Sequence, residues 1–217
     1  MSAENLSPAC APRAELALQS LPIQLETERL VLQPFRTSDA KALATSAGVY
    51  SVARYTLGIP LPYTTAAARE WISNLASRQL AGHEQMYALR VRAQRPAVKP
   101  QLANNILIGG ISVSLEREHF RCEIGYWLSE PSRGHGYMQE ALRALIPALF
   151  EANLQRIYGL CFSDNQSSQR LLATLGFARE GCLRGHIWKW GEACDATSFG
   201  LTHKRFQRIR KAYQYSY

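Results

Sequence analysis

Apolar residues recur along this chain with two different periods, and the switches between them mark out the elements. The triplet Leu30-Val31-Leu32 reads as a short strand that Pro34 ends, and a proline there fits a sheet edge. Thr37-Ser38-Asp39 supplies caps for a short helix through Ala47. A longer helix opens at Thr64-Thr65, carries Ala68, Trp71, Ile72, Leu75 and Leu80 as apolar positions, and meets a stop at Gly82. Residues 86–91 and 106–115 read as strands joined across 92–105, where two prolines and three basic residues describe an exposed hairpin loop. Gly109-Gly110 within the second strand suggests a bulge.

The second half repeats the alternation more sharply. A strand at 122–128 (CEIGYWL) is followed by a glycine turn and a helix beginning near Tyr137. That helix places Met138, Ala141, Leu142, Leu145, Ile146, Leu149 and Phe150 on one side, a stripe fit to pack on a sheet, while Pro147 predicts a bend. Residues 157–162 form another strand. Asp164-Asn165 cap a helix running through Leu175, and Gly176 supplies its left-handed stop. Two last strands, about 180–190 and 197–201, pair around Gly191-Glu192. The order predicts an α+β fold with a mixed, mostly antiparallel sheet. Residues 1–24, rich in Ala, Ser and Pro, read as a loosely held arm, 25–206 as the domain, and 207–217 as a basic and aromatic tail.

Between the 122–128 strand and its helix, Arg133-Gly134-His135-Gly136-Tyr137-Met138 has the makings of an anion cradle. Two glycines one residue apart allow a sharp turn with no Cβ in the way, and the helix behind them points unpaired N–H groups at the same spot. A third glycine and a GK[ST] sequence are both missing, which excludes the dinucleotide fingerprint and the P-loop. A tight strand-to-helix turn without a ligand is the plain alternative.

Composition adds to this. With 217 residues, 47% of them hydrophobic, the chain suits one sizeable domain. Lys and Arg number 25 against 17 Asp and Glu, a formal charge of +8 that favours an anionic ligand or RNA-rich surroundings. Five cysteines with no C-x-x-C pair read as reduced thiols in a cytosol, and residues 1–25, with Glu4, Glu15 and three prolines, do not read as a signal peptide or membrane anchor. Residues 203–211 hold five Lys or Arg in nine positions, a solvated tail or a weak RNA contact.

The motifs EIGYWL (123–128), RGHGYM (133–138) with EAL behind it, Asn165-x-x-Ser168 and LLATLGF (171–177), in that order, resemble the GNAT superfamily of N-acetyltransferases. The wider frame, LETERLVLQPF at 25–35 and Glu192-x-x-Asp195, is similar to the subgroup containing the ribosomal-protein N-terminal alanine acetyltransferases, so the resemblance spans most of the chain. One departure is Pro131, where that superfamily often has Gln or Arg; it removes a side-chain contact and leaves the backbone cradle. The resemblance implies the GNAT fold, with two central strands splaying apart. It also implies direct transfer of acetyl from acetyl-CoA to a primary amine, with no metal required. The subgroup points to the N-terminal α-amino group of a protein such as a ribosomal protein. A polyamine, amino acid or drug amine is the alternative acceptor, and a non-catalytic CoA-binding or RNA-associated module the alternative role. Such an enzyme works in the cytoplasm, away from membranes, as a monomer or homodimer.

Carried over by position, Arg133, Gly134, His135, Gly136, Tyr137 and Met138 hold the diphosphate of acetyl-CoA. Tyr126, Trp127 and Leu128 pair their backbone with the pantetheine arm, a main-chain N–H near Trp127 or Leu128 polarises the thioester, and Asn165 bonds a pantetheine amide. An α-amino group is mostly protonated at neutral pH, so a base is needed. Glu123, an acid among apolar neighbours, is the candidate, acting through water; a carboxylate ion-paired to Arg117 and Arg121 is the plainer alternative. Ser168 is the candidate proton donor to the leaving thiolate, against a role bonding a backbone N–H of its own helix, with Tyr126 and Tyr158 in reserve. Asp195, near Trp190 and Glu192, is the candidate partner of the cationic amine, or simply satisfies turn backbone. Tyr63 and Trp71 belong to the acceptor wall or the core, and Glu140 reads as a helix-surface residue.

Overall fold

The structure, a computed structural model, describes residues 21–80, 84–92 and 106–214. Most of the N-terminal arm, the Gly82 stop and most of the 92–105 loop lie outside the described residues. The strands are β1 (Leu25–Glu26), β2 (Leu30–Gln33), β3 (Glu84–Val91), β4 (Leu107–Glu116), β5 (Arg121–Leu128), β6 (Arg156–Phe162), β7 (Ala178–Lys189) and β8 (Glu192–Thr202). They form one sheet in the order β1-β2-β3-β4-β5-β6-β8-β7, antiparallel throughout except where β5 meets β6. The helices are α1 (Ala40–Ala47), α2 (Tyr50–Ala53), α3 (Thr65–Leu80), α4 (Tyr137–Glu151), α5 (Gln166–Thr174), α6 (His203–Ile209) and α7 (Lys211–Gln214).

Period-two alternation sorts the sheet's side chains onto two helical layers. Tyr87, Leu89, Ile111, Val113, Cys122 and Ile124 point into the larger core, where α4 lays down its stripe; all seven predicted positions from Met138 to Phe150 are buried. At about 1.5–3 kcal/mol for each large side chain removed from water, that stripe fixes α4, and with it the preceding turn, firmly on the sheet. Met86, Ala88, Leu107 and Trp127 face the opposite side, under Leu43, Val52, Ala68, Ile72 and Leu75 of α1 to α3. Thr64 caps α3 by accepting the Ala67 N–H at 3.1 Å.

The structure corrects several local expectations. β2 is not an edge strand, since the two-residue β1 pairs on its outer side, Leu25 opposite Leu32. Residue pairing slips between Leu89 and Arg90, which face Gly109 and Leu107, so the bulge falls on Ile108 beside the glycine pair. β8 begins at Glu192 rather than 197, because Trp190 and Gly191, both at positive φ (52° and 88°), make a two-residue hairpin turn. The segment expected as a solvated tail is helical and docked. Phe206 stacks on Phe150 at 4.6 Å, Tyr213 is buried and donates its hydroxyl to the Leu175 carbonyl at 2.6 Å, and Arg205 Nε donates to the Gly176 carbonyl at 2.6 Å.

Candidate active site

β5 and β6 pair in parallel only at Arg121 with Arg156, Cys122 with Ile157 and Glu123 with Tyr158. Beyond that point β5 continues to Leu128 along β4, while β6 continues to Phe162 along β8, so the two strands part. The expected splay is therefore present, with Glu123 at its vertex. A hydrogen bond of 2.8 Å between the Tyr126 hydroxyl of β5 and Ser168 Oγ of α5 reaches across the gap. α5 is held there by Asn165, whose Oδ1 accepts the Ser168 N–H at 3.1 Å. Asn165 thus takes the capping duty, and the Ser168 hydroxyl faces Tyr126 instead of its own backbone. Burial pushes the Tyr126 phenol up, keeping its proton in place, and the Ser168 hydrogen bond only partly offsets this. Cys161 lies beside the pair; burial raises its thiol, against a hydrogen bond to Ser168.

The far end of β5 runs into the glycine turn. Gly134 and Gly136 sit at φ 80° and 76°, a region that costs a side chain with a Cβ. Glu140 N–H is the first to find an acceptor inside α4, Gly136 O at 3.0 Å, so the N–H groups of Tyr137, Met138 and Gln139 have no carbonyl four residues back within the helix. Arg133 is exposed and bridges Leu128 O (3.3 Å) and Ser51 O (2.9 Å). His135, also exposed, stacks on Tyr137 with ring centroids 5.6 Å apart, and its Nδ1 is 2.8 Å from Arg133 O. Met138 points into the core, and Trp127 and Leu128 pack on the two apolar clusters, so these three offer backbone rather than side chain. Gly110 makes room for Trp127, whose Nε1 would lie 2.8 Å from a Cβ at that position.

Glu123 is half-buried. Burial raises its carboxyl first and the nearby charge of Glu116 second, while a hydrogen bond to Tyr158 and the charge of His186 pull the other way. Arg121, one of its expected partners, pairs with Glu116 instead at 2.5 Å, and the Tyr158 hydroxyl also donates to Glu116. Tyr158 is therefore turned toward carboxylates, while the Tyr126 and Ser168 hydroxyls bond each other across the fork. Asp195 lies beside the end of β6, its carbonyl accepting the Ser163 N–H at 2.9 Å. It accepts from Arg184 Nη1 at 2.7 Å and Gly185 N–H at 2.8 Å, bonds that hold its carboxyl below the usual range. Trp190 stacks on Tyr50 at 5.6 Å, and Lys189 Nζ donates to Thr56 O at 2.6 Å, tying the β7–β8 hairpin to the helical layer. Trp71 packs edge-on against Phe35 at 5.3 Å, and Tyr63 joins the same apolar cluster.

The clearest miss is Glu140. Its side chain is only 14% exposed, and its two oxygens take three donors from the turn before β2. The signal was present as Thr27-x-Arg29 ahead of the first apolar triplet and an acid four residues after Gly136.

A parted pair of parallel strands leading to a glycine turn and a helix N-terminus is an arrangement for holding a long, diphosphate-bearing acyl carrier. Residues 29–178 match the acetyltransferase (GNAT) domain family, and the chain belongs to it. It is an N-acetyltransferase of the GNAT type, with acetyl-CoA as donor. It is 30% identical over 183 residues to the Bacillus subtilis (strain 168) protein called uncharacterized N-acetyltransferase YoaA, covering 83% of this chain and 97% of that one. It is 40% identical to the ribosomal-protein-serine acetyltransferase of Escherichia coli (strain K12) over 80 residues, 36% of this chain and 45% of the relative. Among solved structures, RimL, a ribosomal L7/L12 α-N-protein acetyltransferase in complex with coenzyme A, superposes with a TM-score of 0.69 at 22% identity, covering 84% of this chain and 97% of that one. Among the described residues, no helix is long and apolar enough to cross a membrane.

Proposed function

We propose that this enzyme acetylates the N-terminal α-amino group of a protein, with ribosomal proteins as the substrate class. The observation that carries the chemistry is the fork itself, with a half-buried carboxylate at its vertex and a hydrogen-bonded hydroxyl pair across its opening. The acceptor class is supported by the likeness to the ribosomal-protein-serine acetyltransferase. The residues present suit acetyl-CoA: the positive-φ glycines and the first-turn N–H groups of α4 offer a place for a diphosphate without a Cβ in the way, and β5 beyond Glu123 offers unshared backbone. When bound, the cosubstrate supplies an acetyl thioester at the fork.

In this reading Gly134, His135, Gly136 and the α4 N-terminus hold the diphosphate, flanked by Arg133, and β5 from Tyr126 to Leu128 hydrogen-bonds the pantetheine arm, helped by the Asn165 amide. Glu123 takes a proton from the acceptor ammonium through a water, freeing the nitrogen lone pair to attack the thioester carbonyl. A β5 main-chain N–H near Trp127 or Leu128 stabilises the charge that develops on that oxygen. As the carbon–sulfur bond breaks, the departing thiolate takes a proton from Ser168, Ser168 takes one from Tyr126, and the second proton shed by the attacking nitrogen as the amide forms returns to Tyr126, so both hydroxyls end the cycle protonated. Asp195 would need to leave Arg184 to meet the acceptor's charge. Purified enzyme offered acetyl-CoA with peptide and small-amine acceptors tests the acceptor: acetylated peptide N-termini are expected, and acetylation of polyamines, amino acids or drug amines without peptides rejects the reading.

A further inference from the structure

In the structure, the glycine turn is fastened from a distance of more than a hundred residues. Glu140, in the first turn of α4, accepts from Thr27 Oγ1 (2.5 Å) and Arg29 N–H (2.9 Å) at one oxygen and from Arg29 Nε (2.6 Å) at the other. The Arg29 guanidinium continues past this pair: Nη1 donates to His135 O at 3.0 Å inside the turn, its Cζ lies 4.8 Å from the centroid of the Tyr137 ring, and Nη2 would lie 3.6 Å from a Cβ on Gly136. One side chain thus touches the middle residue of the turn, its second glycine and the start of the helix. Thr27 is fixed in turn, its hydroxyl accepting the Leu30 N–H at 3.0 Å and its carbonyl accepting from Arg92 at 2.7 Å.

We infer that Arg29 and Glu140 are positioning residues for acetyl-CoA, clamping the turn at 133–138 in its diphosphate-binding shape, an inference that rests on that turn being the diphosphate site. Two physical needs meet in this pair. Pro131, inside the 3₁₀ turn Glu130–Ser132, has no polar side chain of its own to brace the loop, and Arg29 provides one from outside. A carboxylate in the first turn of a helix also suits the helix dipole but repels a bound diphosphate. Arg29 neutralises it, so Glu140 organises the loop without opposing the ligand. Burial alone would raise the Glu140 carboxyl, but the bonds from Thr27 and Arg29 outweigh it and hold it below the usual glutamate range, so it stays ionised and paired at neutral pH.

The test compares two donors, acetyl-CoA and S-acetylpantetheine, which carries the thioester but no diphosphate. Glu140→Gln should raise KM for acetyl-CoA about tenfold, the scale of one charge-assisted hydrogen bond, and leave kcat/KM for S-acetylpantetheine at the wild-type value. Arg29→Gln should cost more, because it leaves the Glu140 charge facing the diphosphate, and the double variant should recover part of that loss. Arg29 is 38% exposed, so Arg29→Gln gives a folded variant should Glu140→Gln not fold. Unchanged KM for acetyl-CoA in either folded variant overturns the inference, as do equal losses on both donors or a double variant no better than Arg29→Gln alone. A wild-type enzyme with no preference for acetyl-CoA over S-acetylpantetheine overturns the underlying assignment of the turn instead.

Discussion

Replacing Glu123 by Gln removes a proton acceptor and almost no volume, so its effect isolates the chemistry at the vertex of the fork. The size of the effect follows from the acceptor. An α-amino group with a pKa of about 8 is neutral in roughly one molecule in eleven at pH 7 and about nine in ten at pH 9. Solvent can therefore do the deprotonation alone at a cost of about tenfold in rate at pH 7, and almost none at pH 9. A positioned base contributes about 10²–10⁴-fold in all, and one acting through water belongs at the lower end. At pH 7 the expected loss in kcat/KM is about a hundredfold, or ~2.7 kcal/mol of transition-state stabilisation, narrowing to about tenfold at pH 9. The assay is release of free CoA thiol with saturating acetyl-CoA and varied peptide acceptor from pH 6 to 9, with the Kd for acetyl-CoA measured alongside. The raised carboxyl of Glu123 sets the sign for the wild type, whose activity should fall as the pH drops and Glu123 takes up its proton. Unchanged kcat/KM in the variant, or a deficit constant from pH 7 to 9, would refute the assignment.

Ser168→Ala should lower kcat about a hundredfold with little change in KM, and adding Tyr126→Phe should cost little more, because the two hydroxyls form one relay at 2.8 Å; full multiplicative losses in the double variant would count against the relay. A Cβ on Gly134 would meet nothing within 4 Å, so Gly134→Ala acts only through its φ of 80°, a cost of about 1–2 kcal/mol. Its expected readout is a weaker calorimetric Kd for CoA with an unchanged fold, and undiminished affinity would argue against that backbone shape mattering. For stability against pH, Glu116, Glu140 and Glu180 all sit below the ordinary carboxyl value: hydrogen bonds from Arg121 and Tyr158 lower Glu116, those from Thr27 and Arg29 outweigh burial at Glu140, and Arg156 lowers Glu180. Depressed acids stabilise the fold above the unfolded glutamate value of about 4.3 and lose that contribution as pH falls through their folded values. Tm should therefore drop steeply on acidification below about pH 4.3, and a flat Tm down to pH 3 would contradict these pairings.

The parts of the fold legible beforehand were those with local periodicity. The α4 stripe, the 122–128 and 157–162 strands and the Asn165 cap each announce themselves within one element, and the glycine turn between a strand and a stripe could be read as a ligand loop. β1 escaped because two residues carry no period, and the early start of β8 because Glu192 to Asp195, with an acid at each end, carry no apolar alternation. The docked C-terminal helices did have a signal, Phe206, Ile209 and Tyr213 at helical spacing, but five cations in residues 203–211 made the segment look like a solvated run. Within the site, the order of Glu123, Ser168 and Asn165 along the chain was readable, whereas their partners were not. Arg121 could pair with either Glu116 or Glu123, and only the cross-strand register, Glu116 opposite Arg121, decides it. Glu140 and Arg29 stand 111 positions apart, a contact no local pattern contains.

The C-terminal helices have a bearing on biosynthesis. Tyr213 and Arg205 close off the carbonyls of Leu175 and Gly176, at the end of the helix that carries Asn165 and Ser168. Ribosomes emit chains from the N-terminus onward, so a nascent polypeptide halted at Thr202 would present that helix end bare, its last turn free to fray. The caps on these two carbonyls thus come from chain synthesised after the helix itself, and that helix end is completed only once Arg205 and Tyr213 have docked.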